Sequence, residues 1–247
     1  MNYNKDLIEL INNIKPITNT FGIIKEEDTE SIKIKFKGET IGFILTAPEE
    51  YLQFPGDFLG FLDFDRFMKY YNIFDLPNKD EKLADTPLLE WVVNDEGAAA
   101  EIVISSSKGK QQFKYRTGTK QAIKEQKFNG AKLPSVETTF TLSKAQNEHL
   151  HKIIGIIKPD IVNFTFVGDI CKVNLKNMTF DDSYEIEYKL DTVVEEEFSM
   201  PILVESINLI PAGEYKLEVC SRGYIGFHQV RTDNIKLDLY VSKKVVR

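Results

Sequence analysis

The feature that most constrains the fold is a helical hydrophobic pattern that passes directly into a strand pattern. Ser143 is a good N-cap and Pro159 ends the helical pattern, and between them one stripe is apolar at the 3.6-residue spacing of a helix. The stripe consists of Ala145, Leu150, Ile153, Ile154 and Ile157. From 161 to 175 apolar and polar residues alternate, interrupted by Gly168 and Asp169, a typical turn pair. The pattern predicts a helix followed by a β-hairpin.

The other face of the same helix is cationic. It carries Lys144, His151, Lys152 and Lys158, although the chain as a whole has a formal net charge of −7. A positive helix face in an acidic protein is typical of a surface that meets a polyanion. The alternative is an ordinary outer helix face whose lysines are hydrated, and the helix alone does not decide between them.

Composition limits the class of protein. The length of 247 residues suits two compact domains of about 120 residues or one large β domain. Hydrophobic residues make up 42% and charged residues 28%, which indicates a globular chain. Cys171 and Cys220 are the only cysteines and lie in apolar strand patterns, so we expect no disulfide framework. Without a membrane-length apolar run or a signal-peptide pattern, we expect a cytoplasmic protein.

The order of elements occurs twice. Asn4 can cap an N-terminal helix that ends before Pro16, and residues alternate in strand fashion between 32 and 45. Further strands and a short helix complete each half, which indicates an internal duplication. It predicts an N-terminal domain over residues 1–117, an interdomain connector over 118–135 and a C-terminal domain over 136–247. The helices are too few to cover both faces of a parallel sheet, so we expect an α+β fold with antiparallel sheets and helices on one face.

Catalytic patterns are mostly missing from the sequence. It contains no Gly-rich phosphate loop, Cys-x-x-Cys, His-Glu-x-x-His or Gly-x-Ser-x-Gly motif. His149 and His151 are two residues apart on one helix and therefore point to different faces, and His228 stands alone. We therefore expect neither a metal site nor a cofactor, and a protein that is not an enzyme.

Two stretches resemble a known family. They are LSKAQNEHLHKIIGIIKPDIVNFTFVGDICKVNL and FSMPILVESINLIPAGEYKLEV, in this order. Both are similar to the second domain of the DNA polymerase sliding clamps of T4-like tailed phages, within the PCNA-like family. The Pro-Gly-x-Tyr-Lys-Leu pattern of those clamps corresponds here to residues 211–217, with one residue inserted between Pro211 and Gly213. The resemblance is weaker over the first half, where residues 63–72 resemble the family's second helix.

The resemblance implies a ring of six similar domains from three chains, with helices lining the hole and sheets outside. Such a ring encircles duplex DNA and tethers the replicative polymerase for processive synthesis. Cationic helix faces would contact phosphates without reading bases, and no register along the DNA would be favoured. The DNA-binding candidates are Lys5, Lys15, Arg66, Lys69, Lys144, Lys152 and Lys158. Glu9 and Glu148 lie on the same helices and leave the exact DNA-facing side open.

The resemblance also implies partners that attach through short peptides. In the family, tails of the polymerase and the clamp loader bind an outer cleft between domains. The candidate walls are Leu133, Pro134, Val136, Tyr240 and Val241. The alternative is that these residues only pin the connector to the sheet.

Ring closure is expected through edge strands at residues 111–117 and 184–190, where the resemblance places the ends of the two domain sheets. Lys110, Lys114 and Arg116 share one side of the first strand, and Glu185 and Glu187 share one side of the second. Opposite charges favour pairing between different strands and discourage each strand from pairing with its own copy. The alternative is that both are ordinary inner strands with hydrated charges.

Two other classes fit parts of the sequence. A non-catalytic structural or virion protein of two β-rich domains would share the composition but needs no cationic helix faces. A nuclease would need carboxylates such as Asp63 and Asp65 with a metal ion, yet a helix-capping role explains that pair more simply. A trimeric mass in solution would favour the clamp over a structural protein.

Overall fold

The computed structural model describes residues 3–74, 87–106, 111–123, 135–231 and 234–244. The chain forms two compact units, one of Met1–Lys35 with Thr46–Lys127 and one of Phe36–Leu45 with Phe128–Arg247. The excursion Phe36–Leu45 into the second unit is a feature that the sequence did not indicate. The three-segment domain division stays a prediction, since residues 124–134 of the connector lie outside the described part.

The elements follow the duplicated order in outline. The helices are α1 (Lys5–Ile14), α2 (Phe64–Phe74), α3 (Lys144–Ile157) and α4 (Val204–Asn208). The strands are β1 (Phe21–Glu26), β2 (Ser31–Lys37), β3 (Ile41–Pro48), β4 (Phe58–Phe61), β5 (Pro87–Val93), β6 (Ala99–Ser106), β7 (Gln112–Arg116), β8 (Thr138–Leu142), β9 (Ile161–Lys176), β10 (Ser183–Leu203), β11 (Tyr215–Cys220), β12 (Tyr224–Gln229) and β13 (Lys236–Ser242). No helix in the described residues is both long and apolar enough to cross a bilayer.

The first unit contains two antiparallel groups of strands. In one, β1 lies between β4 and β2, and in the other β6 lies between β5 and β7. Its core is rich in aromatic rings, with Phe61 in contact with Phe21, Phe64 and Phe67. Tyr115 of β7 joins this cluster, and its hydroxyl donates to the carbonyl oxygen of Asp63 at 3.0 Å, at the start of α2. Strand β7 and helix α2 are therefore held in a fixed relation.

The second unit contains the strand order β3-β13-β12-β11-β8 and a two-stranded sheet of β9 and β10. The described strand pairs of this unit are antiparallel. Its core is aliphatic and aromatic, and Phe140, Phe166 and Tyr215 are fully buried. The two units thus confirm the predicted α+β class with antiparallel sheets.

The predicted hairpin turn at Gly168 and Asp169 is wrong. Strand β9 continues through both residues and pairs with the longer strand β10. Gly168 has a φ of +57°, and the register of the pair shifts on either side of its partner Val194. A glycine with positive φ accommodates a bulge as readily as a turn, so a turn-like pair of residues does not prove a chain reversal. The reversal comes between Lys176 and Ser183, where β9 ends and β10 begins.

Candidate functional site

Helices α1 and α2 of the first unit lie side by side in opposite directions. Lys15 at the end of α1 contacts Asp65 at the start of α2, while Tyr3 before α1 accepts a hydrogen bond from Tyr71 near the end of α2 at 3.0 Å. The buried face of α1 consists of Leu7, Ile8, Leu10, Ile11 and Ile14. Lys5 lies on the opposite, exposed face of the helix.

A three-member ion network joins the two helices. Nζ of Lys15 is 2.7 Å from Oδ1 of Asp65, and Nζ of Lys69 is 2.7 Å from Oδ2 of the same carboxylate. The hydrogen bonds from the two lysines lower the pKa of Asp65 to about 2. Asp65 is therefore ionised at neutral pH, and it offsets part of the positive charge that the sequence assigned to this face.

Arg66 is exposed but does not extend freely into solvent. Its Nε donates to the hydroxyl of Tyr70 at 2.8 Å, and its guanidinium carbon lies 5.6 Å from the centre of the Tyr70 ring. Asp63 caps α2, because its Oδ1 accepts from the backbone N–H of Arg66 at 3.0 Å. Within the described residues no cluster of histidine, cysteine and carboxylate side chains could hold a metal ion.

Helix α3 presents the cationic surface of the second unit. Ser143 and Gln146 form a capping box at its start, with Gln146 N–H donating to Ser143 Oγ at 3.3 Å. Lys144, Lys152 and Lys158 are exposed. Lys144 makes only a loose pair with Glu148 at 3.9 Å, and no ion pair within the described part of the chain involves Lys152 or Lys158. These lysines therefore present most of their charge to solvent.

Two residues of the predicted helix pattern lie on the wrong side. His151, assigned to the cationic face, is half-buried, and this burial lowers its pKa. Ala145, assigned to the apolar stripe, is exposed. Leu150 and Ile154 of the predicted stripe are buried, and Asn147 is buried with them. The inner face of the helix therefore includes a polar residue that the apolar pattern did not contain.

Asn147 binds the turn that carries the family-like sequence pattern. Its Nδ2 lies 3.2 Å from the carbonyl oxygen of Pro211 and 3.3 Å from that of Gly213. The hydroxyl of Tyr215 donates to the same Pro211 oxygen at 2.8 Å. The spacing of Pro211, Gly213 and Tyr215 is thus explained by a turn that α3 and β11 hold together. Asn147 was not predicted as a site residue, because its only signal in the sequence is a polar residue four positions after the helix cap.

Strand β7 forms one edge of the first unit. It pairs only with β6 among the described strands, and its outward residues Lys114 and Arg116 are exposed, as predicted from their alternation. Lys114 lies 3.6 Å from Glu101 of β6. On the inward side, Phe113 stacks on Tyr70 of α2 with ring centres 4.7 Å apart. Lys110 lies outside the described residues.

The first part of β10 forms a comparable edge of the second unit. Glu185 and Glu187 are exposed on one side of the strand, and Glu187 pairs with Lys172 of β9 at 3.3 Å. On the other side Tyr184 contacts His149 of α3, with ring centres 6.2 Å apart. Residues 183–189 pair with β9 along one edge. Along their other edge they pair with no strand in the described part of the chain.

The predicted peptide-binding walls are placed unevenly. Leu133 and Pro134 lie outside the described residues, and the side chain of Val136 is 45% exposed. Tyr240 is half-buried and packs edge-on against His228. Val241 is fully buried, so its inclusion as a wall is wrong: its side chain points into the core. Neighbouring strand residues face opposite sides, and Tyr240 and Val241 therefore cannot line one surface.

A cleft of about 450 Å³ opens in the second unit beside the end of β13. Its lining includes Thr40, Leu203, Tyr224, Ser242 and Lys243. The cleft is held by backbone hydrogen bonds, because Ser242 N–H donates to Thr40 O at 2.9 Å and Lys243 N–H donates to Gly223 O at 2.7 Å. No sequence signal indicated this site, since its walls come from four distant parts of the chain.

Comparison with known proteins identifies the fold. No family model and no curated protein matches the chain. Among solved structures, PCNA of A. fulgidus bound to the C-terminal region of FEN-1 matches with a TM-score of 0.68 and 13% identity, over 99% of this chain and 98% of that one. Proliferating Cellular Nuclear Antigen from Entamoeba histolytica matches with a TM-score of 0.69 and 12% identity, over 97% and 95%. The chain therefore has the PCNA-like fold that its sequence resemblance implied.

Proposed function

We propose that this protein is a DNA sliding clamp, in which three chains form a ring around duplex DNA and tether a replicative polymerase. The observation that carries the proposal is the likeness of nearly the whole chain to two PCNA structures, in a protein whose sequence has no catalytic motif. The finer assignment to clamps of T4-like phages rests on the residues around α3 and β11, and it implies action in the cytoplasm of a bacterial host.

DNA contact is assigned to the cationic helix faces of both units. The proposed contacts are Lys5, Lys15, Arg66, Lys69, Lys144, Lys152 and Lys158. Exposed lysines release condensed counterions when they meet phosphates, which gives binding without sequence preference and with strong salt dependence. The other exposed residues of α3 include Gly155 and Ile156, whose side chains cannot form hydrogen bonds with base edges. Such contacts let a ring move along the duplex.

Ring closure is assigned to pairing of the β7 edge of one chain with residues 184–190 of the next. Lys114 and Arg116 on one edge face Glu185 and Glu187 on the other, and opposite charges across strands each add about 0.2–1 kcal/mol. The inward sides are apolar and aromatic, with Phe113 on one edge and Tyr184 on the other. Because the two edges differ, the contact is heterologous and closes into a ring when the rotation between neighbours is suitable.

Partner peptides are assigned to the cleft lined by Thr40, Leu203 and Tyr224. One of the similar PCNA structures has the C-terminal region of FEN-1 bound, which supports peptide binding on this fold. The ring of Tyr224 is 41% exposed and offers an apolar wall, and Lys243 adds a positive rim. We assign tails of the polymerase and clamp loader to this cleft, whose lining includes neither Val136 nor Tyr240. Crosslinking a polymerase tail to another surface would contradict this assignment.

The mass in solution tests the proposal. Sedimentation equilibrium should give three times the mass of the chain over a wide range of protein concentration. A monomer at all concentrations would contradict the ring, and so would an open series of larger assemblies, because a heterologous contact that fails to close produces filaments.

A further inference from the structure

We infer that Asp65 is a positioning residue that weakens the DNA contact of the first unit by holding Lys15 and Lys69 in ion pairs. The inference rests on the proposed function, since it assigns a role to the face formed by α1 and α2. It goes beyond that function, because it gives a carboxylate on the helices assigned to DNA contact a role in limiting the affinity for DNA.

The geometry gives each lysine its own carboxylate oxygen. Lys15 Nζ meets Oδ1 and Lys69 Nζ meets Oδ2, both at 2.7 Å. The short distances are those of charge-assisted hydrogen bonds. A single negative charge therefore engages two positive charges, and the three side chains together present a net charge of +1.

The exposures show that this network is open to a competing anion. The side chain of Lys69 is 73% exposed, whereas those of Lys15 and Asp65 are 32% and 37% exposed. A DNA phosphate that approaches Lys69 shares its ammonium group with Asp65, which weakens the attraction. By contrast, Lys144 of α3 has its carboxylate partner at the longer distance of 3.9 Å. Lys15 and Lys69 are thus held in close ion pairs, whereas Lys144 of α3 presents more of its charge to solvent.

This arrangement suits a protein that must stay on DNA without binding the phosphates strongly. Each additional phosphate contact deepens the electrostatic attraction and steepens its dependence on salt. A ring is retained by its topology, so strong phosphate contacts are unnecessary and would slow its movement. Asp65 keeps the attraction of α1 and α2 below the level that Lys15 and Lys69 would otherwise produce.

The variant Asp65→Asn tests the inference in the full-length protein. Binding to a fluorescent duplex oligonucleotide is measured by anisotropy at several salt concentrations. Removal of the carboxylate should steepen the plot of log affinity against log salt by about 1, the contribution of one further neutralised phosphate. Raising salt from about 50 to about 200 mM should then cost the variant about threefold more affinity than it costs the wild type.

Three variants separate this role from simpler effects. Asp63→Asn removes the same charge two residues away, where the carboxylate caps α2 and Asn caps equally well, so the slope should change much less. Asp65→Glu keeps the negative charge and should therefore retain the wild-type salt slope. Lys69→Met in the Asp65→Asn background should remove the added steepness. A merely structural tie between the helices would change the melting temperature without changing the salt slope.

The outcomes distinguish this inference from the proposed function. If Lys144→Glu with Lys152→Glu weakens binding but Asp65→Asn leaves the slope unchanged, the role of Asp65 is wrong and the clamp proposal stands. An equal change in Asp63→Asn would likewise overturn the specific role of Asp65. If neither the α3 lysines nor Asp65 affects DNA binding, the assignment of these helices to DNA fails.

Discussion

Nδ2 of Asn147 lies 3.2 Å from the carbonyl oxygen of Pro211, so the long helix of the second unit directly holds the turn that leads into β11. Asn147 is 2% exposed, and the same amide also reaches the carbonyl oxygen of Gly213. A buried amide is retained only where its hydrogen bonds are satisfied, because an unpaired one costs free energy. This contact links the cationic helix to the sheet behind it.

Asn147→Ala should lower the free energy of unfolding by about 1–3 kcal/mol, because buried carbonyl oxygens lose a donor and a small void forms. Urea unfolding followed by circular dichroism measures the change. Glu148→Ala is the matched control on the next position of α3, where the side chain is exposed, and should stay within about 0.5 kcal/mol of the wild type. Equal effects of the two substitutions would contradict the anchoring role of Asn147.

Charge reversal on α3 should weaken DNA binding more than the same change on the sheet. Lys144→Glu with Lys152→Glu should flatten the salt dependence by about 1.8, the contribution of two phosphate contacts. The control is Lys216→Glu with Lys236→Glu, which changes the net charge equally on exposed positions of β11 and β13. Fluorescence anisotropy with duplex DNA compares the two. Equal slopes would show that overall charge, and not the helix face, determines binding.

The stability of the second unit should depend on pH through His228. Its Nδ1 lies 2.7 Å from Oδ1 of Asp238, and its Nε2 lies 3.4 Å from Oε2 of Glu218. The hydrogen bond to Asp238 raises the pKa of His228. Folding therefore favours the protonated ring, and this stability is present at low pH and is lost as pH rises through the folded-state pKa. The stability difference between wild type and His228→Gln should be larger at about pH 5.5 than at about pH 8.5.

His151 serves as a control, because its contribution to stability should change with pH in the opposite direction. Burial lowers its pKa, so protonation favours the unfolded chain, and the stability contribution of the neutral ring is lost as pH falls. The difference between wild type and His151→Gln should therefore shrink toward low pH. Urea unfolding at both pH values measures each difference. The same pH trend for both variants would contradict the assigned environments.

The two charged strand edges should control assembly. Glu185→Lys with Glu187→Lys places like charges opposite Lys114 and Arg116 of the next chain and should yield monomers at moderate concentration. Lys114→Glu with Arg116→Glu, added to the same protein, should restore the trimer. Sedimentation velocity follows both changes. An unchanged mass for the first variant would mean that these edges do not meet.

A control for this prediction is available on the same strand. Glu195→Lys with Glu196→Lys makes the same charge change at exposed positions of β10 outside the segment 183–190. This variant should remain trimeric. Monomers in this case would show that net charge, and not edge pairing, governs assembly.

Local signals in the sequence determined what could be predicted. Ser143 caps α3 and Asn4 caps α1, as predicted, because the capping preference involves neighbours in sequence. Gly168 led to the wrong prediction of a hairpin turn, because a glycine with positive φ occurs in bulges as well as in turns. Asn147 is buried and His151 is half-buried on α3. Neither was predicted to be so, because a hydrophobic pattern is traced through apolar residues alone. Only their tertiary partners, in the turn at Pro211 and in α4, explain their burial.

Candidate site residues were harder to predict for the same reason. Exposure of Lys114 and Glu187 follows from strand alternation, which the sequence shows. Ion pairing of Lys15 with Asp65 joins residues fifty positions apart and has no local signal. The cleft beside Thr40 and Tyr224 likewise depends on long-range packing. Charge on a helix face was therefore predictable, but how much of that charge is already paired was not.

The most direct test of the proposed clamp function is retention of the protein on circular DNA. The protein is assembled on nicked circular duplex at low salt, moved to about 0.5 M salt, where exposed phosphate contacts are largely screened, and separated by gel filtration. A ring around the duplex should remain with the circles and leave them when a restriction enzyme cuts the DNA. Loss from intact circles as rapid as from linear DNA, or retention after cutting, would contradict encirclement.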